Sequence, residues 1–450
     1  MSEFSSLGLH PTLLDALARH GYATPTPIQA QSIPHLLDGR DLLGLAQTGT
    51  GKTAAFALPL LHRLLKEPRR VSYKAARVLV LSPTRELASQ IMVQFRQFAH
   101  GTSLKIACVF GGVPMGAQRQ ALAAGLDVLV ATPGRLLDHM GQGTVRLDEV
   151  EALVLDEADQ MLDMGFIQPL KRIAGALPKR RQTLLFSATL PQSIRQLADG
   201  FLHEPVEVAV TPVASTAEKV AQQVIFAEPD LKKRLLVHTL AAKDVDRALV
   251  FARTKHGADK LVRILGQAGL AAVALHGNKS QAQRTRALAE FKDGKTPILV
   301  ATDIAARGIH VDAVSHVVNY ELPNVPESYV HRIGRTARAG ASGIAISFCA
   351  GDERPYLKAI EKLIGQSIPV VASPLGASAP AAAASAPAKA APAKPAPARS
   401  ATKPHNAHRG TGHGAGHAAA RAATGEAEGD NRAQAPRRRR RRRPAAARAA

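Results

Sequence analysis

Short unbroken runs of Val, Leu and Ile recur along most of the chain, each followed at once by a polar cluster and then by a helix-like stretch. They stand at VLVLSPTREL (78–87), DVLVATPGR (127–135), ALVLDEAD (152–159), TLLFSAT (183–189), ALVFART (248–254), AVALHG (272–277), ILVATD (298–303) and HVVNYELP (316–323). Runs that are apolar throughout, rather than alternating, mark strands buried on both faces, and their alternation with helical segments predicts parallel βα units. Polar clusters at the strand ends then gather along one edge of a sheet, the edge where open parallel sheets hold ligands. The rhythm pauses over HEPVEVAVTPVASTAEKVAQ (203–222), where two prolines interrupt it. The pattern therefore predicts an α/β protein: a first domain over 1–205, a linker over 206–222 and a second domain over 223–368.

Beyond Val371 the composition turns to Ala, Pro, Lys, Gly and His and ends in seven consecutive arginines, Arg437 to Arg443. Such a segment buries too little apolar surface to offset chain entropy, so 369–450 is expected to be a disordered basic tail. A solvated linker accounts for its Ala and Pro part, whereas the arginine run suits phosphates regardless of sequence.

Two polar clusters carry chemistry. At residues 46–53, AQTGTGKT, the glycines Gly49 and Gly51 allow backbone angles that turn successive N–H groups toward phosphate oxygens, with Thr48 and Thr50 between and before them. Lys52 reaches the β and γ phosphates, and the Thr53 hydroxyl can ligate Mg²⁺. The apolar run AAFALPLLHRLL that follows reads as a helix with its positive end toward the anion and a kink at Pro59. Ala46 stands where this pattern ordinarily opens with Gly. A hundred residues on, LVLDEAD (153–159) places Asp156 to hold Mg²⁺ and Glu157 to orient or deprotonate an attacking water. Alone, the first cluster has a structural turn as its lesser alternative, and the second an acidic surface loop. Together they describe a site that binds and hydrolyses a nucleoside triphosphate.

Composition narrows the partner. The 450 residues and 46% hydrophobic content suffice for two or three domains. Cys108 and Cys349 are the only cysteines and form no metal or disulfide pattern, which fits a reducing cytoplasm. No apolar stretch has the length of a membrane span, and the N-terminal residues lack the features of a signal peptide. The formal net charge is +22, and from Ala372 to Ala450 fifteen Lys and Arg face three acids. Both the tail and the remainder are basic, which favours nucleic acid as the polyanionic partner over a membrane.

Taken in order, these motifs resemble those of the DEAD-box ATP-dependent RNA helicases over roughly residues 4–345, and most closely the bacterial RhlE-like branch. The resemblance implies two tandem RecA-like domains of the P-loop NTPase kind, ATP and Mg²⁺ as ligands, and RNA as partner. GYATPTPIQ (21–29) is similar to the family's adenine-reading segment, implying Gln29 on the base edge, Tyr22 stacked on it and Phe4 as an upstream aromatic. SAT (187–189) implies that Ser187 and Thr189 bond Asp159 and couple ATP state to strand separation. HRIGRTAR (331–338) resembles the arginine-finger motif, implying Arg335 and Arg338 at the γ-phosphate and His331 in the network around Asp159. ATDIAARGIHV (301–311) is similar to the segment that places Asp303 and Gly308 near the nucleotide, with His310 where an acidic residue is usual. For RNA the resemblance implies Pro83, Thr84 and Arg85, Gly112 of the Gly111-Gly112 pair, Thr132 and Arg135, Thr254, Gly277, Gln281, Arg284 and Thr302. Few aromatics accompany these stretches, so recognition is expected to be indifferent to sequence.

The implied activity is local unwinding or remodelling of RNA duplexes coupled to ATP hydrolysis, by domains that close on ATP and a single strand. Two alternatives share these motifs: an ATP-gated RNA clamp or chaperone scaffold that unwinds little, and a DNA-directed motor of the wider superfamily. Ribosome assembly and RNA decay are family-level settings for protein partners that the sequence leaves unknown.

Overall fold

The computed structural model describes residues 3–47, 49–210, 220–306, 314–336 and 343–376. Seven strands form a first sheet: β1 (Leu42–Leu45), β2 (Ala76–Leu81), β3 (Ile106–Val109), β4 (Leu126–Ala131), β5 (Ala152–Leu155), β6 (Gln182–Ser187) and β7 (Val206–Ala209). They are ordered β3-β4-β2-β5-β6-β1-β7, and every pairing is parallel. A second sheet holds β8 (Val220–Phe226), β9 (Ala248–Phe251), β10 (Ala272–Leu275), β11 (Ile298–Ala301), β12 (His316–Asn319) and β13 (Gly343–Cys349) in the order β10-β11-β9-β12-β13-β8, again all parallel.

The unbroken apolar runs are the central strands, and every residue of β2, β4, β5, β6, β9, β11 and β12 is buried. Successive side chains point to opposite faces, so Val78 and Val80 pack with Phe56, Phe95 and Phe186 while Leu79 and Leu81 pack with Leu129, Leu153 and Met161. Helices cover both faces, which lets one strand be apolar at every position. The charged exceptions are paired: Arg77, 1% exposed, forks onto both oxygens of Glu151 at 3.0 and 3.1 Å.

Two expectations change. The segment expected as a linker over 206–222 begins inside the first sheet, since β7 pairs with β1, and ends inside the second, since β8 starts at Val220. Both are edge strands; β7 buries only one of its four residues and β8 carries Gln222 and Gln223, so neither shows the apolar run of a central strand. Residues 211–219 lie outside the described residues. The second unit also reaches past 368: Val224 donates to the Pro369 carbonyl and accepts from the Val371 amide, both at 2.9 Å. The expected tail therefore starts after this added rung, and residues 377–450, the arginine run among them, lie outside the described residues. The helix Lys52–Lys66 runs through Pro59 without ending there. Among the described residues no helix is long and apolar enough to cross a membrane.

Candidate functional site

The loop after β1 turns into the helix Lys52–Lys66 through two left-handed glycines, Gly49 at φ 85° and Gly51 at φ 91°. Gly51 is required twice over. A Cβ there would adopt a disfavoured φ and would lie 2.3 Å from the Gln29 Nε2. The loop is held from the N-terminal side: Thr26 Oγ1 donates to the Thr50 carbonyl at 2.8 Å, Gln29 Nε2 donates to the Gly51 carbonyl at 3.1 Å, and the Thr26 amide donates to Gln29 Oε1 at 2.8 Å. Gln29, assigned from sequence to a base edge, thus has both ends of its amide engaged by protein, leaving one N–H and one lone pair. Tyr22 is likewise occupied: its ring meets Phe4 and Phe98 edge-on at 6.4 and 5.6 Å, and its hydroxyl accepts from Gln94 at 3.0 Å. Phe4 is buried in the core of the first domain. Ala46, the departure from the phosphate-loop pattern, is buried and donates its amide to the Ser187 carbonyl at 3.0 Å. Thr48 lies outside the described residues.

Gly49, Gly51, Lys52, Thr53, Asp156 and Glu157 line one cavity of about 180 Å³, together with Leu87 and Gln94. Lys52 is 6% exposed, and its Nζ, buried in the cavity wall, has no hydrogen-bond partner among the described residues. Opposite it, Asp156 and Glu157 sit at the end of β5. Glu157 occupies left-handed backbone at φ 53°, ψ 53°, a conformation that costs a non-glycine residue about 1 kcal/mol or more and that concentrates at functional sites. Its amide donates to Asp156 Oδ1 at 3.1 Å, and its own Oε2 has no partner among the described residues. Burial raises the pKa of both carboxyls against the attraction of Lys52, and Glu157 is pushed up to about 7. Among the groups that pull Glu157 back down is Arg335, which belongs to the second sheet's domain.

Around Asp159 the structure revises one assignment. Its Oδ2 accepts from the Ala188 amide at 3.0 Å, the Thr189 amide at 3.2 Å and the Thr189 hydroxyl at 3.3 Å. The Ser187 hydroxyl instead donates to the Thr189 carbonyl at 2.7 Å, so it shapes the turn that aims the amides. From the second domain, His331 Nε2 lies 3.9 Å from the same Oδ2. Arg335 donates to the His331 carbonyl at 3.2 Å and lines a small recess with His331, Asp303, Arg332 and Ser328. Both oxygens of Asp303 are taken by the Arg332 fork, at 2.5 and 2.7 Å, which makes Asp303 an anchor of that recess. Gly308, His310 and Arg338 lie outside the described residues.

A second cavity, of about 410 Å³, is lined by Pro83, Thr84, Arg85, Gly111, Thr132 and Arg135 of the first domain and by Gly277 and Arg284 of the second. Thr84 caps the helix Arg85–Phe98, accepting from the Leu87 amide. Arg85 passes over Gly112, where a Cβ would lie 1.8 Å from its Nη1, and approaches Gln281 Oε1 at 3.4 Å. Arg135 is braced by the Val113 carbonyl at 3.0 Å. Thr254 caps the helix Lys255–Gln267 and Thr302 accepts the amides of Ala305 and Ala306; neither is among this cavity's lining residues.

Four contributors escaped the sequence reading. Glu86, buried inside the quoted PTREL segment, accepts from Arg284 Nε at 2.8 Å and from Gln281 Nε2 at 3.2 Å, joining the two domains. Its signal was a carboxylate in an otherwise phosphate-seeking cluster. Met164, Phe166 and Ile304 also line the second cavity, and a list of polar chemistry gives no cue to them.

The family model for DEAD/DEAH box helicases matches residues 26–197, and that for the helicase conserved C-terminal domain matches residues 230–340. The chain is 41% identical over 374 residues to the ATP-dependent RNA helicase CshA of Listeria monocytogenes, covering 83% of this chain and 71% of that protein. To the ATP-dependent RNA helicase DeaD of Escherichia coli it is 45% identical over 372 residues, 82% of this chain and only 58% of the relative's length. Among solved structures, S. cerevisiae Dbp5 bound to RNA and ADP BeF3 superposes with a TM-score of 0.76 at 31% identity, covering 83% of this chain and 96% of that one.

Proposed function

Because this chain belongs to the DEAD-box family of ATP-dependent RNA helicases, we infer that it couples ATP hydrolysis to local, sequence-indifferent separation and remodelling of RNA duplexes. One observation carries the reading. Lys52, Asp156 and Glu157 of the first domain line one crevice, and Arg335 of the second lines a neighbouring recess close enough for its charge to be felt at Glu157.

The chemistry follows from the residues. The unpartnered Lys52 ammonium takes phosphate charge as the nucleotide enters, and the Gly49–Gly51 amides add donors with no side chain in the way. Thr53 and Asp156 offer the sparse oxygen set that Mg²⁺ shares with phosphates and water, and they would hold that ion; bound there it neutralises charge on the phosphoryl oxygens. Glu157, with a pKa near the working pH, orients the attacking water and accepts its proton. Arg335, with Arg338 proposed beside it, supplies planar donors as charge spreads over the transferring group. Since these groups come from two domains, hydrolysis requires the closed arrangement, and product release favours opening. Asp159, held by the 187–189 turn and facing His331, joins the two states.

The groove with Arg85, Arg135 and Arg284 suits a phosphate backbone, and we place the RNA strand there, with Thr254 and Thr302 as flanking contacts. The division proposed is a nucleotide-cradling domain to about residue 210, a second domain from 220 to 371 and a basic tail. We propose a cytoplasmic setting from the two free cysteines and the RhlE-like branch from the short connections and basic tail. Phosphate release measured with no nucleic acid, with RNA and with DNA of the same sequence tests the reading. Stimulation by RNA alone supports it; equal stimulation by DNA points to the DNA-directed alternative, and absence of stimulation overturns the coupling.

A further inference from the structure

The second cavity pairs its three arginines with an apolar wall, and the two halves of that wall come from different domains. Met164 and Phe166 stand on the first domain and Ile304 on the second. Ile304 is 63% exposed although its neighbours Ala305 and Ala306 are buried. Scattered exposed aliphatic residues are common on proteins. This one is held in place: the residue before it, Asp303, is gripped through both oxygens by Arg332, and the amides of Ala305 and Ala306 bond the Thr302 carbonyl. Its side chain therefore cannot retreat into the core. It stands in a cavity whose lining sets Arg85, Arg135 and Arg284 against Glu86 and Asp138, a net positive charge in which Glu86 pairs with Arg284 and Asp138 lies 3.6 Å from Arg135.

Each half is also rooted at the nucleotide crevice. Met164 and Phe166 follow directly on the helix Ala158–Asp163, which is N-capped by Glu157 and bears Asp159 in its first turn; the Met164 amide bonds the Gln160 carbonyl at 3.1 Å and the Phe166 amide the Met161 carbonyl at 3.0 Å. Ile304 follows the carboxylate that lines the Arg335 recess. Any movement that parts the domains parts the wall.

We propose that Met164, Phe166 and Ile304 form an apolar jaw that closes on the ribose and base flank of single-stranded RNA while Arg85, Arg135 and Arg284 hold its phosphates. The inference rests on the RNA-dependent function above. A jaw of this kind contributes affinity that is insensitive to salt and present only when nucleotide holds the domains together. It favours a single strand, because a duplex keeps its base faces stacked inside and presents chiefly phosphates and 2′-hydroxyls. The arginines, by contrast, make salt-dependent contacts.

The test is RNA affinity of the full chain over a salt series, with and without a non-hydrolysable ATP analogue, for the parent, Ile304→Ala, Ile304→Leu and Arg135→Ala. With the analogue, Ile304→Ala is expected to bind a single-stranded oligoribonucleotide about tenfold more weakly at every salt concentration, with a parallel salt slope. Ile304→Leu should restore most of the loss. Without nucleotide, Ile304→Ala should match the parent, and its ATP affinity and melting temperature should not change. Arg135→Ala should flatten the slope by about 0.7. Unchanged affinity of Ile304→Ala with the analogue, which is the outcome if a protein segment occupies the jaw, overturns the proposal. So does a loss of equal size without nucleotide. A parent protein that shows no nucleotide-dependent RNA binding would instead refute the function on which the jaw rests.

Discussion

Replacing Glu157 by Gln separates what the carboxylate does for turnover from what it costs the fold. The side chain is buried, its Oε2 has no partner among the described residues, and of these Asp156 and Asp159 repel it while Lys52 and Arg335 attract it. Burial is the dominant cause that lifts its pKa from 4.5 to about 7. A raised folded-state value means that the stability contribution is fully present below the unfolded value of 4.5 and is lost as pH rises through 7. Near pH 8 the ionised carboxylate therefore weakens the unliganded protein by roughly 3 kcal/mol, whereas near pH 5 the cost is under about 1 kcal/mol. Gln has the same shape and no charge. Urea denaturation of the unliganded full chain should show Glu157→Gln more stable than the parent near pH 8, with most of that advantage gone near pH 5. The same variant should keep ATP-dependent RNA binding while phosphate release falls by about 10²-fold or more. A variant no more stable than the parent near pH 8, or with an advantage independent of pH, would refute the electrostatic argument; undiminished phosphate release would refute the assigned role.

Other outcomes follow from particular contacts. Gly112→Ala places a methyl 1.8 Å from the Arg85 Nη1 on a backbone at φ 77°, so RNA-stimulated ATPase should fall about tenfold or more while ATP affinity measured without RNA is retained. Arg284→Ala leaves the buried Glu86 carboxylate without its cationic partner in the closed form, with only the Gln281 amide still bonded to it, a loss of about 3 kcal/mol that the open form escapes; RNA affinity with an ATP analogue should drop about 100-fold and recover in part when Glu86→Gln is added. Equal affinities for the single and double variants would rule out the bridge. Truncation after residue 376 should lower RNA affinity and reduce its salt slope by about 0.7 for each phosphate contact removed, leaving ATPase activity intact; an unchanged slope would exclude the tail from binding.

Strands buried on both faces announce themselves, because β2, β4, β5 and β6 must be apolar at every position, and a run of Val and Leu ending in DEAD or SAT needs no partner to be read. The edge strands β7 and β8 do not, since one side of each meets solvent and polar residues such as Gln222 and Glu207 are tolerated there. The proposed phosphate site was legible for a similar reason: Gly49, Gly51, Lys52, Asp156 and Glu157 lie in two short segments, and they line one cavity. The raised pKa of Glu157 and its left-handed backbone were not legible, because desolvation and strain depend on what surrounds a residue.

Local sequence thus marked most of the buried strands, the segments proposed to cradle phosphates and a net charge that favours a polyanion. Only the tertiary structure decided that Gln29 braces the phosphate loop, that Ser187 shapes a turn instead of bonding Asp159, that Glu86 ties the domains to Arg284, and that Ile304 meets the same groove as Phe166. Each of these joins residues far apart in the chain or depends on how a turn aims its groups. A side chain's type limits the bonds it can make; its partner is fixed by the packing that brings distant segments together.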